Sequence, residues 1–181
     1  RQVITHAVRE VVRRMFAGVR PEEVRVVYDV AHNIAKREVH GGRPLCVHRK
    51  GATRAFGPGN PEVPEAYREV GQPVFIPGSM GTATWVMAGT RGAEEASFGS
   101  ACHGAGRRLS RSGARQAVAG GSVRAELEAQ GIAIRCPSAA GLAEEAPLAY
   151  KDVDRVADVV ERAGLARRVA RLRPIGVVKG G

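Results

Sequence analysis

The chain has 181 residues, with 28 Lys and Arg against 18 Asp and Glu, a formal net charge of +10. At 44% hydrophobic and 25% charged residues it has ordinary globular composition, long enough for one domain or a large piece of one. Three scattered cysteines, Cys46, Cys102 and Cys136, argue against a disulfide framework; no apolar run approaches the ~18 residues that span a bilayer.

In chain order, Val3, Ile4, Ala7, Val8, Val11, Val12, Met15 and Phe16 recur at helical spacing and predict an amphipathic helix over residues 2–18, stopped by Gly18 and Pro21. VRVVYDV (24–30) reads as a strand running into Ala31-His32-Asn33, and residues 45–48 as a short strand. A Gly- and Pro-rich loop follows over roughly 57–73. PVFIP (73–77) is an apolar strand ending in the turn Gly78-Ser79-Met80-Gly81, and TATWVMA (82–88) is the next strand. After SFGSACHGAGR (97–107) come helices near 109–118 and 123–130, then a short strand at 132–135. DVDRVADVVERA (152–163) is an amphipathic helix with acidic residues in its first turn, as the helix dipole favours. Residues 171–178 read as a final strand. There is no internal repeat, and the element order indicates an α+β fold rather than regular βαβ units.

Four segments could carry chemistry. In GSACHGAGR (99–107), Gly104 and Gly106 permit positive φ and close backbone approach, so the loop can aim amides at a phosphate. A helix start after it would add a dipole, and His103 and Arg107 supply a nucleophile and a cation; a tight turn with a hydrogen-bonded histidine is the plainer alternative. PGSMGT (77–82) is a second small-residue turn that is not a Walker loop, or an ordinary glycine turn. DVAHN (29–33) puts His32 at a strand end as a metal ligand or a structural histidine, and no HxH or HExxH spacing supports it. The end, IGVVKGG (175–181), is a solvated tail or a flap closing over a ligand. The positive residues are mostly Arg; only Lys36, Lys50, Lys151 and Lys179 are Lys. Arg suits bidentate phosphate contacts, as with RNA or a nucleotide, but an Arg-rich solvated surface or a GC-rich genome gives the same bias. A start at Arg1-Gln2, without an initiator Met or a signal peptide, is expected of a fragment, a processed chain or one whose start is left out.

Together, HNIAKRE (32–38), HRKGATRA (48–55), PVFIPGSMGTATWV (73–86), SFGSACHGAGR (97–107), EAPLAYKDVDRV (145–156) and RLRPIGVVKG (171–180) resemble, in order, the motifs of the RtcB family of RNA ligases. The resemblance implies an RtcB-like α+β fold with mixed or antiparallel sheets and flanking helices. It implies a cytoplasmic enzyme that uses GTP and two Mn²⁺ ions. Such an enzyme joins an RNA 3′-phosphate or 2′,3′-cyclic phosphate to a 5′-hydroxyl, on transfer RNA halves or broken RNA ends. Carried over by motif, His103 becomes guanylylated and Arg107 is needed for activity. His32 is a manganese ligand, and Asn33 lines the nucleotide site beside it. Pro77, Gly78, Ser79 and Met80, with His103, Gly104, Ala105 and Gly106, hold the nucleotide. Thr84 lies near the guanine, and Tyr150 and Lys179 contact the base.

Thr84 stands where the family often has Ser, Trp85 where Tyr is common and Leu109 where Met is common. Family members are much longer. Their amino-terminal half supplies an Asp, a Cys and two further His as metal ligands, together with an Asn-His segment and a guanine-reading Glu. The chain is therefore expected to be a carboxy-terminal portion, over residues 1–181, that is inactive without that half. A non-catalytic nucleotide- or RNA-binding module and a metal-dependent phosphoesterase on the same scaffold are the competing readings.

Overall fold

The computed structural model describes residues 1–179. Helix α1 (Gln2–Met15) forms where the periodicity places it, yet none of its residues is buried. Val3 and Ile4 are 80% and 67% exposed, so most of its apolar stripe stays open to solvent. The Arg9 guanidinium donates to the Val24 carbonyl at 2.9 Å and ties the helix to the segment after it.

That segment corrects one expectation. Residues 24–30 are not a strand. Their alternation is strand-like, but no neighbouring edge among the described residues offers a ladder. The segment is tethered through side chains instead: the Tyr67 hydroxyl donates to the Val27 carbonyl and the Gln72 amide to the Tyr28 hydroxyl.

The first paired strands are β1 (Asn33–His40) and β2 (Arg43–Lys50), an antiparallel hairpin turned at Gly41-Gly42. Only 45–48 was expected; the charged sequence of β1 hides its pairing. Strand β3 (Ala52–Arg54) follows, then β4 (Pro73–Pro77), β5 (Thr84–Gly89), helix α2 (Arg91–Ser97) and β6 (Ser100–Cys102). Next come α3 (Arg111–Ala117), α4 (Gly120–Ala129), β7 (Ala133–Arg135) and α5 (Ala139–Glu144), and finally α6 (Val153–Arg162), β8 (Ala166–Leu172) and β9 (Gly176–Val178). The expected final strand at 171–178 is split. β8 begins earlier and pairs with β5, and Pro174, which has no amide to donate, lies between it and β9.

Strands β4, β5 and β8 make an antiparallel sheet; β3 pairs antiparallel with β6, and β7 parallel with β9. The mix of helices and largely antiparallel pairs is the expected α+β architecture. Two apolar clusters hold it together. One packs α6, through Val153, Ala157 and Val160, on Val74, Ile76 and Met87 of the central sheet. The other gathers Met80, Val123, Leu127, Ile132, Ile134 and Leu142. Asp152 caps α6 by accepting from the amides of Asp154 and Arg155. No helix among the described residues is long and apolar enough to cross a membrane.

Helices α4 and α5 meet so closely that a Cβ on Gly120 would lie 1.9 Å from the Ala139 carbonyl oxygen, whereas one on Gly121 meets nothing within 4 Å. Gly120→Ala is expected to destabilise by roughly 1–3 kcal/mol or more through overpacking. Gly121→Ala is expected to stabilise by about 0.5–1 kcal/mol through helix propensity. Denaturant midpoints of the two variants should therefore move in opposite directions.

Candidate functional site

Strand β6 delivers Cys102 and then His103 into a loop. Ala52 of β3 pairs with Cys102, which brings the residue just before β3 against the loop. That residue, Gly51, is used from both sides. Its amide donates to the His32 carbonyl at 2.9 Å, and its carbonyl accepts from the His103 amide at 3.0 Å. One peptide segment thus bridges the backbones of two residues far apart in sequence. The result is a stacked pair: the His32 and His103 rings lie 4.6 Å apart between centroids, inclined at 22°. His32 is exposed and His103 half-buried.

Nδ1 of His103 is buried without a hydrogen-bond partner among the described residues. Burial lowers the pKa of this ring, the neighbouring His32 lowers it further, and a contact with the Phe75 backbone opposes them. The imidazole is therefore neutral at neutral pH, the form with a free nitrogen lone pair. The ring faces the Phe75 backbone, but its buried nitrogen makes no hydrogen bond of good geometry there.

The rest of the loop alternates. Ala105 is buried, and its amide donates to the Pro77 carbonyl at 2.9 Å. The Gly106 carbonyl accepts from the Lys151 amide at 3.0 Å, and the Gly104 carbonyl from the Cys102 thiol at 3.2 Å. Gly104 and Gly106 have φ of 124° and 74°, and their amides donate to no other group among the described residues. Two loop amides are thus spent on the scaffold and two remain for an anion. The expected helix dipole does not reach this loop: α3 starts only at Arg111, with Ser110 as its cap accepting from Gly113.

Pro77 touches the loop directly. The turn after it is sealed on itself: the Gly78 amide donates to the Ala83 carbonyl at 3.0 Å and the Ser79 amide to the Thr82 hydroxyl at 2.7 Å. The Met80 side chain sits in the second apolar cluster, only 7% exposed, so it serves the core. Thr84 opens β5, half-buried opposite Pro77. Asn33 opens β1, exposed and paired with Lys50.

Arg107, Tyr150 and Lys179 form a second group around a residue that sequence reasoning missed, Glu145. Its carboxylate accepts from the Arg107 guanidinium at 3.3 Å, from the Tyr150 hydroxyl, and from Lys179 Nζ at 3.2 Å. Arg107 also donates to the carbonyls of Leu109 and Glu144 and to the Tyr150 hydroxyl. In this arrangement it braces the loop rather than standing free beside it. Burial alone would raise the Glu145 pKa, but hydrogen bonds from Tyr150 and Lys179 and the charges of Lys179 and Arg107 outweigh it and hold the pKa below the ordinary value. The Tyr150 hydroxyl is pushed up by burial and by Glu145. Lys179 is held beside Glu145 by its own amide, which donates to the Arg135 carbonyl at 2.8 Å. The sequence did contain a signal, an acid five residues before Tyr150, but the role came only from the fold.

A metal fits these residues incompletely. No group of three or more His, Cys, Asp or Glu that could hold an ion occurs among the described residues. His32 and His103 are two imidazoles, too few for a tight Mn²⁺ site, which wants several N and O ligands.

A profile of the tRNA-splicing ligase RtcB family matches residues 1–180. The chain is 56% identical over 186 residues to the tRNA-splicing ligase RtcB of Archaeoglobus fulgidus, covering 99% of the chain and 38% of that protein. It is 56% identical over 185 residues to that of Thermococcus kodakarensis, with the same coverages. It is 52% identical over 186 residues to that of Pyrobaculum aerophilum, covering 38% of it. The chain thus spans little more than a third of the length of these relatives.

The Glu145 group sets a pH dependence. A carboxyl whose folded pKa is depressed adds stability above its unfolded value, and that stability is lost as pH falls through the folded value. Glu145→Gln is expected to lower stability at pH 7 by about 1–2 kcal/mol, discounted for partial exposure. The gap between variant and wild type should close on acidification below about 4.5, the carboxyl's ordinary value. Urea unfolding at pH 7 and pH 3.5 would read this; a gap unchanged by pH would show that the carboxylate charge does not hold the group.

Proposed function

Because this chain belongs to the tRNA-splicing ligase RtcB family, we propose that it forms part of a GTP-dependent RNA ligase in which His103 is the residue that carries GMP. The observation that supports this reading is the His103 ring. It is half-buried, held neutral, stacked on His32 and left with an unpaired nitrogen beside two unspent loop amides.

In the proposed reaction an imidazole nitrogen of His103 attacks the α-phosphorus of GTP. A P–N bond forms, the bond to the bridging oxygen breaks, and pyrophosphate leaves. The free amides of Gly104 and Gly106 face the charge that builds on the phosphate oxygens. An RNA 3′-phosphate oxygen then attacks the phosphorus of the histidine-bound GMP and returns the ring to its neutral form. The RNA 5′-hydroxyl attacks the activated 3′-phosphorus, loses its proton and expels GMP, leaving a phosphodiester. RNA ends with a 2′,3′-cyclic phosphate would first be opened to a 3′-phosphate.

Arg107 acts in this scheme from its place beside the loop, and Tyr150 and Lys179 close the base side of the pocket with Glu145. Pro77, Gly78, Ser79 and Thr84 shape the wall across from the loop. Mn²⁺ is proposed as the metal, with His32 as one ligand and the rest supplied from outside the described residues; bound there, it would neutralise phosphate charge. A cytoplasmic setting is proposed too, in keeping with three free thiols, Cys46, Cys102 and Cys136.

The test is covalent trapping of labelled GMP by the full-length protein with GTP and Mn²⁺. Wild type is expected to retain label through acid-labile, base-stable linkage, as a phosphoramidate does, and His103→Ala to retain none. Label on His103→Ala equal to wild type would refute the assignment. RNA joining is expected to require GTP; hydrolysis of cyclic phosphate ends with neither joining nor trapped GMP when GTP is supplied would favour a phosphoesterase instead.

A further inference from the structure

We propose that Arg49 is a positioning residue that holds the His32–His103 pair in register, by stapling the hairpin that follows His32 to the strand that leads into His103. The proposal rests on the functional reading above only for why the register matters. The staple itself rests on geometry.

The Arg49 side chain is 1% exposed. Its guanidinium donates to both oxygens of Glu38, at 2.8 and 2.7 Å, a bidentate pair within the hairpin. It also reaches out of the hairpin. Nε donates to the Ser100 hydroxyl at 2.9 Å, and Nη2 to the Phe98 carbonyl at 2.8 Å. Ser100 opens β6, the three-residue strand that leads directly into His103. Arg49 lies next to the end of β2, just before the Gly51 segment that bridges the two histidine backbones. Side-chain and main-chain links therefore join the same two pieces of chain, one on each side of the β3–β6 pair.

That pair needs the help. β3 and β6 match only Ala52 with Cys102, Thr53 with Ala101 and Arg54 with Ser100. A ladder so short specifies its register weakly. The turn before it is strained: Phe98 has φ of 53°, the left-handed region that a non-glycine residue adopts only when its surroundings hold it there. Arg49 takes hold of the carbonyl of that strained residue. Lys could not make the same contacts, because its single ammonium cannot grip a carboxylate in a fork, a hydroxyl and a carbonyl together.

The buried charge is well paired. Glu38 also accepts from His40 at 2.9 Å and lies 3.4 Å from Arg54, whose other partner is Glu62. Burying such a cluster adds little net stability compared with apolar residues of like size, so its use is to fix geometry.

The experiment uses full-length protein with Arg49→Lys, Ser100→Ala and wild type, all labelled at histidine carbon and nitrogen. The ring resonances of the 5 histidines of this chain can be assigned in the full-length protein by substituting each in turn. Stacking displaces the ring-proton shifts of His32 and His103. Arg49→Lys is expected to relax both displacements and leave those of His6 and His48 alone. The single-turnover rate of GMP attachment should fall about 10- to 100-fold with a misplacement on the order of 1 Å. GTP affinity should stay within about threefold, since neither residue touches nucleotide in the reading above. Ser100→Ala, which removes one hydrogen bond, should move both readouts the same way by about three- to tenfold.

A folded Arg49→Lys with wild-type ring shifts and a wild-type attachment rate would overturn the proposal. So would a loss explained wholly by weaker GTP binding. If Arg49→Lys does not fold, Ser100→Ala decides by the same two readouts. Failure of wild type to attach GMP would overturn the ligase reading alone, and the ring shifts would still decide the staple.

Discussion

The site depends on one glycine whose two backbone hydrogen bonds point opposite ways. Gly51 donates to the residue at the head of the β1–β2 hairpin and accepts from the residue at the end of β6. Its φ of 68° lies where L side chains are disfavoured. That backbone geometry, with the β3–β6 pair and the Arg49 side chain, ties the hairpin to the loop and brings the two imidazoles together. The remaining braces follow the same logic. The loop is held by main-chain bonds to Pro77 and Lys151, and Arg107 is held by Glu145 and two carbonyls. Among the loop amides of residues 103 to 106, those of His103 and Ala105 are spent on the scaffold and those of Gly104 and Gly106 are not.

Much of this was visible in the residues and some was not. Helices α1 and α6 were legible because a 3.6-residue period survives in sequence whatever the helix packs against. β4 and β5 were legible as apolar runs bounded by turns. Strand β1 was not, because NIAKREVH spends its inward positions on Glu38 and His40. A strand whose core is an ion cluster carries no apolar alternation. Residues 24–30 failed in the opposite direction: they alternate properly, but pairing is a property of the neighbour, which one segment cannot reveal. His103 and His32 were readable only through the family motifs, since local spacing equally allowed a structural turn. Glu145 was hidden because its importance lies in joining Arg107, Tyr150 and Lys179, which stand 38, 5 and 34 residues from it.

The positive charge also needs a second reading. A net charge of +10 points toward an anionic partner. Several arginines, however, are internal fasteners. Arg124 donates to the carbonyls of Ile134 and Cys136, joining α4 to the residues around β7. Arg171 makes two hydrogen bonds to Asp154, joining β8 to α6, and Arg168 lies 4.9 Å from the centre of the Trp85 ring. These uses need a planar fork or a stackable cation, and they account for Arg over Lys without invoking RNA. Charge composition therefore overstates the surface available to an anion.

The choice of imidazole at position 103 follows from the same setting. A group that is to attack a phosphorus atom at neutral pH must be uncharged, and a lysine amine would have to be forced down from about 10.4. An imidazole starts near 6.5 and needs only a small push. Burial is the larger cause of that push and the stacked His32 adds to it. The pairing of one half-buried ring with one exposed ring thus serves the attack step of the proposed transfer.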